Sequence, residues 1–213
     1  MRERAIQILE DTNAVLTGGH FVYTSGRHGS VYVNKDAVYP HTEMVSQLCT
    51  MFADELRPHA PEVVCGPALG GIILSQWTAH HLGVLGVYAE KSDSGLELRR
   101  NYDKLVAGRR VGVVEDIVTT GGSLKQAVEA VRLAGGEVVG AVAIVNRGGI
   151  DAADLGTPVF SSLVELDADS YDPSECPLCA DGVPVNTDVG KGSREDPPAD
   201  TVAGESRSPR HGE

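Results

Sequence analysis

Short apolar segments alternate with amphipathic segments along residues 42–145, and this alternation is typical of an α/β protein with a central parallel sheet flanked by helices. The apolar segments are rich in Val and span only four to eight residues, which favours strands that are buried on both faces. The segments between them have the periodicity of amphipathic helices. At 213 residues, the chain is long enough for one domain of this kind with a small additional part or a tail.

The predicted elements form two groups along the chain. In the first, residues 3–16 show a helical stripe closed by Gly18-Gly19, and two short strands at 20–24 and 31–34 flank a polar loop. The second consists of helices at 42–56, 72–82 and 123–133 and of strands at 62–65, 84–89, 111–114 and 138–145. Residues 91–110 are polar and charged, which predicts a long loop.

The carboxyl ends of the predicted parallel strands indicate where a ligand binds, because open parallel sheets bind their ligands at this edge. We therefore expect the loops that follow the four strands to form one site. These strands are predicted to end at Cys65, Ala89, Val114 and Val145.

The acidic residues are concentrated in the last third of the chain. Residues 1–150 contain 16 acidic and 14 basic residues, whereas residues 151–213 contain 14 acidic and 4 basic residues. The formal net charge of −12 argues against binding to nucleic acid or to an anionic membrane. Residues 191–213 are rich in Gly, Ser, Pro and charge, which predicts a disordered tail. Because the sequence shows no long apolar run and no signal-peptide core, we expect a cytoplasmic protein.

The strongest functional motif follows the predicted strand at 111–114. Two adjacent carboxylates come first, then two apolar residues, and then a run of hydroxyls and glycines at the predicted start of a helix. Glycines let main-chain N–H groups approach an anion, and the helix start adds a positive dipole end, so this run predicts a phosphate cradle. The carboxylates suit vicinal hydroxyls or a hydrated Mg²⁺. Acceptors for hydroxyls beside a phosphate cradle indicate a ribose 5-phosphate as the ligand. The predicted ligand-binding residues are Glu115, Asp116, Ile117, Val118, Thr119, Thr120, Gly121, Gly122 and Ser123.

This run resembles the phosphoribosyl-pyrophosphate (PRPP) signature of type I phosphoribosyltransferases. The resemblance implies the fold of that family, a central parallel sheet flanked by helices with a small N-terminal hood over the base. The Gly-rich loop at 66–72 follows a predicted strand and opens a helix, and the resemblance implies that it binds the pyrophosphate of PRPP. The residues assigned to this role are Ala68, Leu69, Gly70 and Gly71.

Within the family, the chain is most similar to the orotate phosphoribosyltransferases. The segments 20–28 and 32–35 resemble their hood, and Asn146-Arg147 ends a predicted strand where these enzymes carry an Arg, a residue suited to a carboxylate. The resemblance implies transfer of the 5-phosphoribosyl group from PRPP to orotate, which gives orotidine 5′-phosphate and pyrophosphate in UMP synthesis. It assigns orotate binding to Thr119, Arg147, Ser25 and Arg27.

The resemblance also implies a cofactor, a partner and a catalytic segment. Mg²⁺ is expected to contact the protein mainly through PRPP and water, so no residue is assigned as a metal ligand. A homodimer is expected, with the 91–110 loop of one subunit reaching the site of the other. Cations of this loop would stabilise the departing pyrophosphate. The expected catalytic residues are Lys91, Arg99, Arg100 and Asp116.

Two alternative functions remain on the sequence alone: a phosphoribosyltransferase for another, purine-type base, and a non-catalytic regulator that senses PRPP. The acidic charge and the lack of a helix-turn-helix pattern argue against the regulator. The predicted organisation is a helix and hood at 1–40, a catalytic core at 41–165, a C-terminal extension at 166–190 and the tail at 191–213.

The extension contains a Cys-x-x-Cys pair, Cys176 and Cys179. A zinc site needs four ligands, and no second Cys pair or nearby His pair accompanies this one, because Cys49 and Cys65 lie in the core pattern. We therefore expect unliganded structural thiols. A metal shared between subunits and a redox pair remain as alternatives.

Overall fold

The computed structural model describes residues 2–23, 25–93, 95–166 and 169–189. The tail predicted to be disordered, at 191–213, lies outside these residues, as does Thr24 at the end of a predicted strand. No helix in the described part of the chain has the length and apolar character needed to cross a membrane.

The N-terminal part of the chain forms a helix and a two-stranded hairpin. Its elements are α1 (Arg2–Asp11), β1 (Val15–Val22) and β2 (His28–Val33), and the two strands pair antiparallel. The prediction that Gly18 and Gly19 end a helix was wrong, since both lie inside β1. The pairing register shifts between Thr17 and Phe21, and this irregularity accommodates the two glycines.

A mostly parallel sheet forms the centre of the fold, as predicted, and it has six strands. Its strands are β3 (Val63–Pro67), β4 (Leu85–Ser92), β5 (Gly95–Glu97), β6 (Arg110–Val118), β7 (Glu137–Asn146) and β8 (Phe160–Glu165). Of these, β5 and β8 were not predicted. They lie in the order β5-β4-β3-β6-β7-β8, and all pairs are parallel except that of β4 with β5. The central strands β3, β6 and β7 are almost entirely buried, which explains their runs of Val.

Helices cover both faces of this sheet. The helices after the hairpin are α2 (Thr42–Leu56), α3 (Gly70–Leu82), α4 (Tyr102–Val106), α5 (Gly122–Leu133) and α6 (Ala152–Leu155), and a last helix, α7 (Pro177–Ala180), lies in the C-terminal segment. Val64 packs in one apolar core with α1, α2 and α3, whereas its neighbour Val63 packs in a second core with α5. Successive strand residues point to opposite faces, so the two cores lie on opposite sides of the sheet.

Two predicted boundaries differ from the structure near the carboxyl edge of the sheet. The strand predicted at 111–114 continues to Val118, because its parallel pairing with β7 persists through Ile117 and Val118. Glu115 and Asp116 are therefore strand residues rather than loop residues. The segment predicted as a loop at 91–110 contains β5 and α4, and Tyr102 packs edge-on against Tyr88 with ring centroids 5.3 Å apart.

The C-terminal segment 169–189 packs against the hairpin. The backbones of Tyr171 and His28 pair through two hydrogen bonds, and the Asn186 N–H donates to the His20 carbonyl at 2.7 Å. The expectation that no His pair lies near the Cys-x-x-Cys was wrong, since His20 and His28 lie beside Cys176 and Cys179.

Candidate active site

The carboxyl ends of β3, β4, β6 and β7 enclose one cavity of about 1140 Å³. The loops after β3, β6 and β7 contribute lining residues, β4 contributes residues of the strand itself, and the β1–β2 hairpin contributes Tyr23, Ser25 and Arg27. The topology therefore brings together residues that are far apart in the sequence, such as Arg27 and Arg147, which are separated by 120 positions.

The turn between β6 and α5 forms an anion site made of main-chain atoms. Gly121 precedes the helix with φ +75°, a conformation that favours glycine, and it has no side chain to cap the first turn. The first amides of a helix have no intrahelical acceptor, so they can donate to a bound anion. Residues 117–124 and Glu115 line a second, small cavity of about 60 Å³ at this turn. This geometry suits a phosphate group.

The acidic pair at the end of β6 is buried and held by specific partners. Glu115 and Asp116 are 5% and 4% exposed. One oxygen of Asp116 accepts a hydrogen bond from Tyr39 at 3.0 Å and forms an ion pair with Lys35 Nζ at 2.8 Å. The other Asp116 oxygen accepts the Ile117 N–H at 2.7 Å. Asp116 is thus fixed before any ligand binds.

The sequence did not identify Lys35 and Tyr39 as site residues. Lys35 ends the hood segment that resembles the orotate enzymes, so its signal was present but unassigned. Tyr39 gave no signal, since its role depends on contact with Asp116, 77 positions away.

Burial of Glu115 within the acidic pair favours its protonated form. Burial is the main cause that raises the pKa of Glu115, and the adjacent Asp116 raises it further, while the Asp116 N–H and Lys35 oppose this shift. Burial lowers the pKa of Lys35, but the charge of Asp116 and its hydrogen bond raise it more, so the ammonium form is favoured. One cation therefore faces two buried carboxyl groups.

The loop after β3 approaches the acidic pair closely. A Cβ on Gly70 would overlap the Asp116 carboxylate, so only glycine fits here without displacing Asp116. Leu69 is 84% exposed and lines the cavity. The Ala68 N–H already donates to the Ala89 carbonyl at 2.8 Å, which leaves Gly70 and Gly71, in the first turn of α3, as the amides suited to an anion.

The four residues predicted to bind orotate all line the cavity. The Arg147 guanidinium lies 3.9 Å from the centroid of the Tyr23 ring, and the Tyr23 hydroxyl donates to the Val31 carbonyl at 2.6 Å. The main-chain N–H of Arg147 donates to the Val118 carbonyl at 2.8 Å, which anchors Arg147 beside the turn between β6 and α5, called the phosphate turn below. Arg27 pairs with Asp172 at 2.9 Å and is thereby tied to the C-terminal segment.

The cations of the 91–110 segment occupy different places. Lys91 and Arg100 line the cavity, and Arg100 pairs with Glu90 at 2.7 Å. Arg99 does not line the cavity among the described residues, and it pairs with Glu97 at 3.3 Å. The structure thus brings Lys91 and Arg100 to the site but not Arg99.

The chain is similar to known phosphoribosyl transferases. The family described as phosphoribosyl transferase domain matches residues 36–170. The orotate phosphoribosyltransferase of Caldanaerobacter subterraneus subsp. tengcongensis is 39% identical over 194 residues, which cover 91% of this chain and 98% of that protein. That of Pelotomaculum thermopropionicum is 41% identical over the same coverage.

Solved structures of the Mycobacterium tuberculosis orotate phosphoribosyltransferase have a similar fold. Its complex with inorganic phosphate matches with a TM-score of 0.62 and 28% identity, and covers 77% of this chain and 96% of that one. Its complex with PRPP matches with a TM-score of 0.60 and 26% identity, with the same coverage. The orotate enzymes are thus similar to this chain in both sequence and fold.

The buried acidic pair predicts a specific pH dependence of stability. The pKa of Glu115 is raised to about 8 in the folded chain, from an ordinary value of 4.5. Between these values the unfolded chain releases a proton that the folded chain keeps. The stability that Glu115 contributes is therefore fully present below its pKa in the unfolded chain. It is lost as the pH rises through its pKa in the folded chain. Glu115→Gln keeps an oxygen for the Asp116 N–H and removes the titration.

We expect the melting temperature of Glu115→Gln, minus that of the native chain, to increase from about pH 5 to about pH 9. Thermal unfolding of the ligand-free proteins measures this difference. Glu129→Gln, at an exposed position of α5, is the matched control and should show no such increase. A difference for Glu115→Gln that stays constant with pH would contradict the prediction.

Proposed function

The chain belongs to the phosphoribosyl transferase family, and we propose that it is an orotate phosphoribosyltransferase, which transfers the 5-phosphoribosyl group from PRPP to orotate. The products are orotidine 5′-phosphate and pyrophosphate. One observation carries this proposal: the large cavity is lined by Thr119, Thr120 and Ser123 of the phosphate turn, by the buried acidic pair and by the Arg147–Tyr23 stack. Each feature matches one part of the two substrates.

PRPP is bound along the carboxyl edge of the sheet in this proposal. Its 5-phosphate occupies the turn at 119–123, where amides and hydroxyls donate to its oxygens. The ribose hydroxyls meet Glu115 and Asp116 as hydrogen-bond acceptors. The pyrophosphate lies against the loop after β3, where Gly70 and Gly71 present the first amides of α3.

Orotate is bound beneath the hairpin. The Arg147 guanidinium pairs with its carboxylate, because a planar fork of donors matches two carboxylate oxygens. The Tyr23 ring holds that guanidinium in place by a cation–π contact. Thr119, Ser25 and Arg27 line the same space and complete the binding of the base.

The transfer requires positioning and charge stabilisation rather than a protein nucleophile. The bond between the ribose C1 and a ring nitrogen of the base forms while the bond from C1 to pyrophosphate breaks, and the proton of that nitrogen passes to the departing pyrophosphate. Positive charge thus develops on the sugar and negative charge on the leaving group. Lys91 and Arg100 stabilise the departing pyrophosphate. The hairpin and the 91–110 segment exclude water, which would otherwise hydrolyse PRPP.

The donor set of the cavity fits Mg²⁺, which prefers carboxylate and phosphate oxygens and keeps several water ligands. The carboxyl groups of Glu115 and Asp116 are available at this edge, but Asp116 is already held by Lys35 and Tyr39. This arrangement favours contact through water and PRPP. Bound Mg²⁺ would supply charge neutralisation at the pyrophosphate.

Two further expectations from the sequence remain predictions: the homodimer, in which the 91–110 segment reaches the neighbouring site, and the cytoplasmic location. Lys91 and Arg100 line the cavity of their own chain. A subunit-exchange assay between inactive variants would show whether the 91–110 segment acts in the cavity of its own chain or in that of a neighbouring subunit.

The substrate is tested by a panel of free bases. With PRPP and Mg²⁺, we expect pyrophosphate release with orotate and none above background with adenine, guanine, hypoxanthine or uracil. Omission of Mg²⁺ should abolish the release. Turnover with a purine instead of orotate would favour a phosphoribosyltransferase for a purine-type base. PRPP binding without turnover of any base would favour a non-catalytic regulator that senses PRPP.

Arg147 is expected to select the base. Loss of a charged hydrogen-bonded pair costs about 1.5–3 kcal/mol, so Arg147→Ala should raise the KM for orotate roughly 10- to 100-fold. Arg147→Lys should recover little of this loss, because an ammonium group lacks the planar fork. The KM for PRPP should change little. Arg57→Ala, a surface arginine beside Asp54, is the control. An unchanged orotate KM in Arg147→Ala would refute the assignment.

The two cations Lys91 and Arg99 are expected to differ in their effect on turnover. Lys91→Ala should lower kcat roughly 10- to 100-fold, because Lys91 lines the cavity and loses a charged contact to pyrophosphate. Arg99→Ala should stay within about twofold of the native kcat, because exposed ion pairs contribute little. Steady-state kinetics at saturating substrates compare the two. A larger loss in Arg99→Ala would place that residue in the catalytic site.

A further inference from the structure

Four side chains that commonly bind metals meet on the side of the hairpin next to the C-terminal segment. They are His20 of β1, His28 of β2, and Cys176 and Cys179 around the start of α7. One ligand atom from each lies within 4.8 Å of all the others. None of the four has a role in the proposed transfer reaction.

The distances between these atoms are close to those of a tetrahedral metal site. His20 Nε2 lies 2.9 Å from His28 Nδ1, and Cys179 Sγ lies 3.3 Å from His28 Nδ1 and 3.6 Å from His20 Nε2. Cys176 Sγ lies 3.7 Å from His20 Nε2. Zinc bonds to nitrogen and sulfur place neighbouring ligand atoms of a tetrahedron about 3.3–3.8 Å apart. The side chains therefore need only small adjustments to surround one ion.

A hydrogen bond outside the cluster fixes the state of His20. Its Nδ1 lies 2.8 Å from the Val183 carbonyl, which can only accept, so Nδ1 carries a proton and donates it. In the neutral ring, Nε2 then has one lone pair directed toward the cluster. Three groups face this lone pair, and it can accept only one good hydrogen bond. Metal-binding histidines characteristically donate their other ring nitrogen to a carbonyl in this way.

We propose that His20, His28, Cys176 and Cys179 bind one Zn²⁺ ion. Two imidazole nitrogens and two thiolate sulfurs are a preferred ligand set of zinc, and four protein ligands leave no position for a substrate. The ion is therefore structural. All four ligands come from one chain, so the site does not require a second subunit. The two cysteines are free thiols and not a disulfide.

The position of the site indicates what the ion stabilises. His20 and His28 are on the two strands of the hairpin, and the loop between them carries Tyr23 and Arg27, which line the cavity. Zinc would join this hairpin to the segment around Cys176 and Cys179, which is far away in the sequence. The ion thereby fixes the cover of the active site from outside the cavity.

The proposal is tested on the full chain, expressed without a polyhistidine tag, incubated with Zn²⁺ and desalted. Elemental analysis should find one zinc per chain in the native protein and in Glu175→Gln, an exposed change next to Cys176 that keeps all four ligands. The double variant Cys176→Ser/Cys179→Ser should hold almost none. Cys49 and Cys65 remain in that variant, but they are buried in the core, where their thiol pKa is raised to about 12.

Cobalt provides a second readout, which on the native chain does not depend on the folding of a variant. Co²⁺ bound to the native chain should give thiolate-to-cobalt charge-transfer absorption and intense tetrahedral visible bands, and His28→Gln should weaken both. A strong chelator should lower the melting temperature of the native chain but not that of the double variant.

Three results would overturn the proposal: a native chain that takes up neither Zn²⁺ nor Co²⁺, zinc retained undiminished by the double variant, or a mass two units lower that reveals a disulfide. None of these measurements uses orotate or PRPP. Their outcome is therefore independent of the proposed transferase activity.

Discussion

The candidate active site depends on two carboxyl groups buried side by side at the end of a central strand. Lys35 pairs with Asp116, whereas burial and the adjacent Asp116 raise the pKa of Glu115, so the ligand-free site favours one negative charge over two. The fold responds by fixing Asp116 with Lys35 and Tyr39, and by leaving Gly70 without a side chain where a Cβ would overlap Asp116. A ligand that brings hydroxyl donors and a cation relieves this constraint, which is what a sugar phosphate with Mg²⁺ provides.

Continuation of β6 through the acidic pair explains how one strand can serve three parts of the substrates. Glu115 and Asp116, within the strand, are placed to bind the sugar, and the turn that follows is placed to bind the phosphate. The main-chain N–H of Arg147, the residue assigned to the base, donates a hydrogen bond to the carbonyl of the strand's last residue, Val118. Because these groups are attached to a rigid, buried sheet, their mutual positions are set before substrates arrive. Preorganisation of this kind suits a reaction that needs no protein nucleophile.

The sequence predicted the features that depend on local pattern and on general topology. Runs of Val gave the parallel strands, helical periodicity gave α2, α3 and α5, and the glycines and hydroxyls of 119–123 indicated the anion turn. It could not predict features that depend on contacts between distant residues. Two consecutive glycines are typical of the end of a helix, and Gly18 and Gly19 lie in a strand only because β1 pairs with β2. The contact of Lys35 with Asp116, and that of His20 with Cys176, spans too much sequence to leave a local pattern.

The hairpin that covers the cavity requires support from the rest of the chain. A two-stranded hairpin is marginally stable in water, and within the residues that the structure describes this one pairs with no strand of the central sheet. Its base, at Val15 and Val33, packs in the apolar core with α1 and α2. Its other end is supported by the C-terminal segment, through the Tyr171–His28 backbone pairing, the Asn186–His20 hydrogen bond and the contacts of Arg27 with Asp172 and Ser170. Backbone bonds and one exposed ion pair provide only modest stability, since each competes with water. Four metal-binding side chains at the junction of hairpin and segment are therefore placed where a further cross-link would contribute most to keeping Tyr23 and Arg27 over the site.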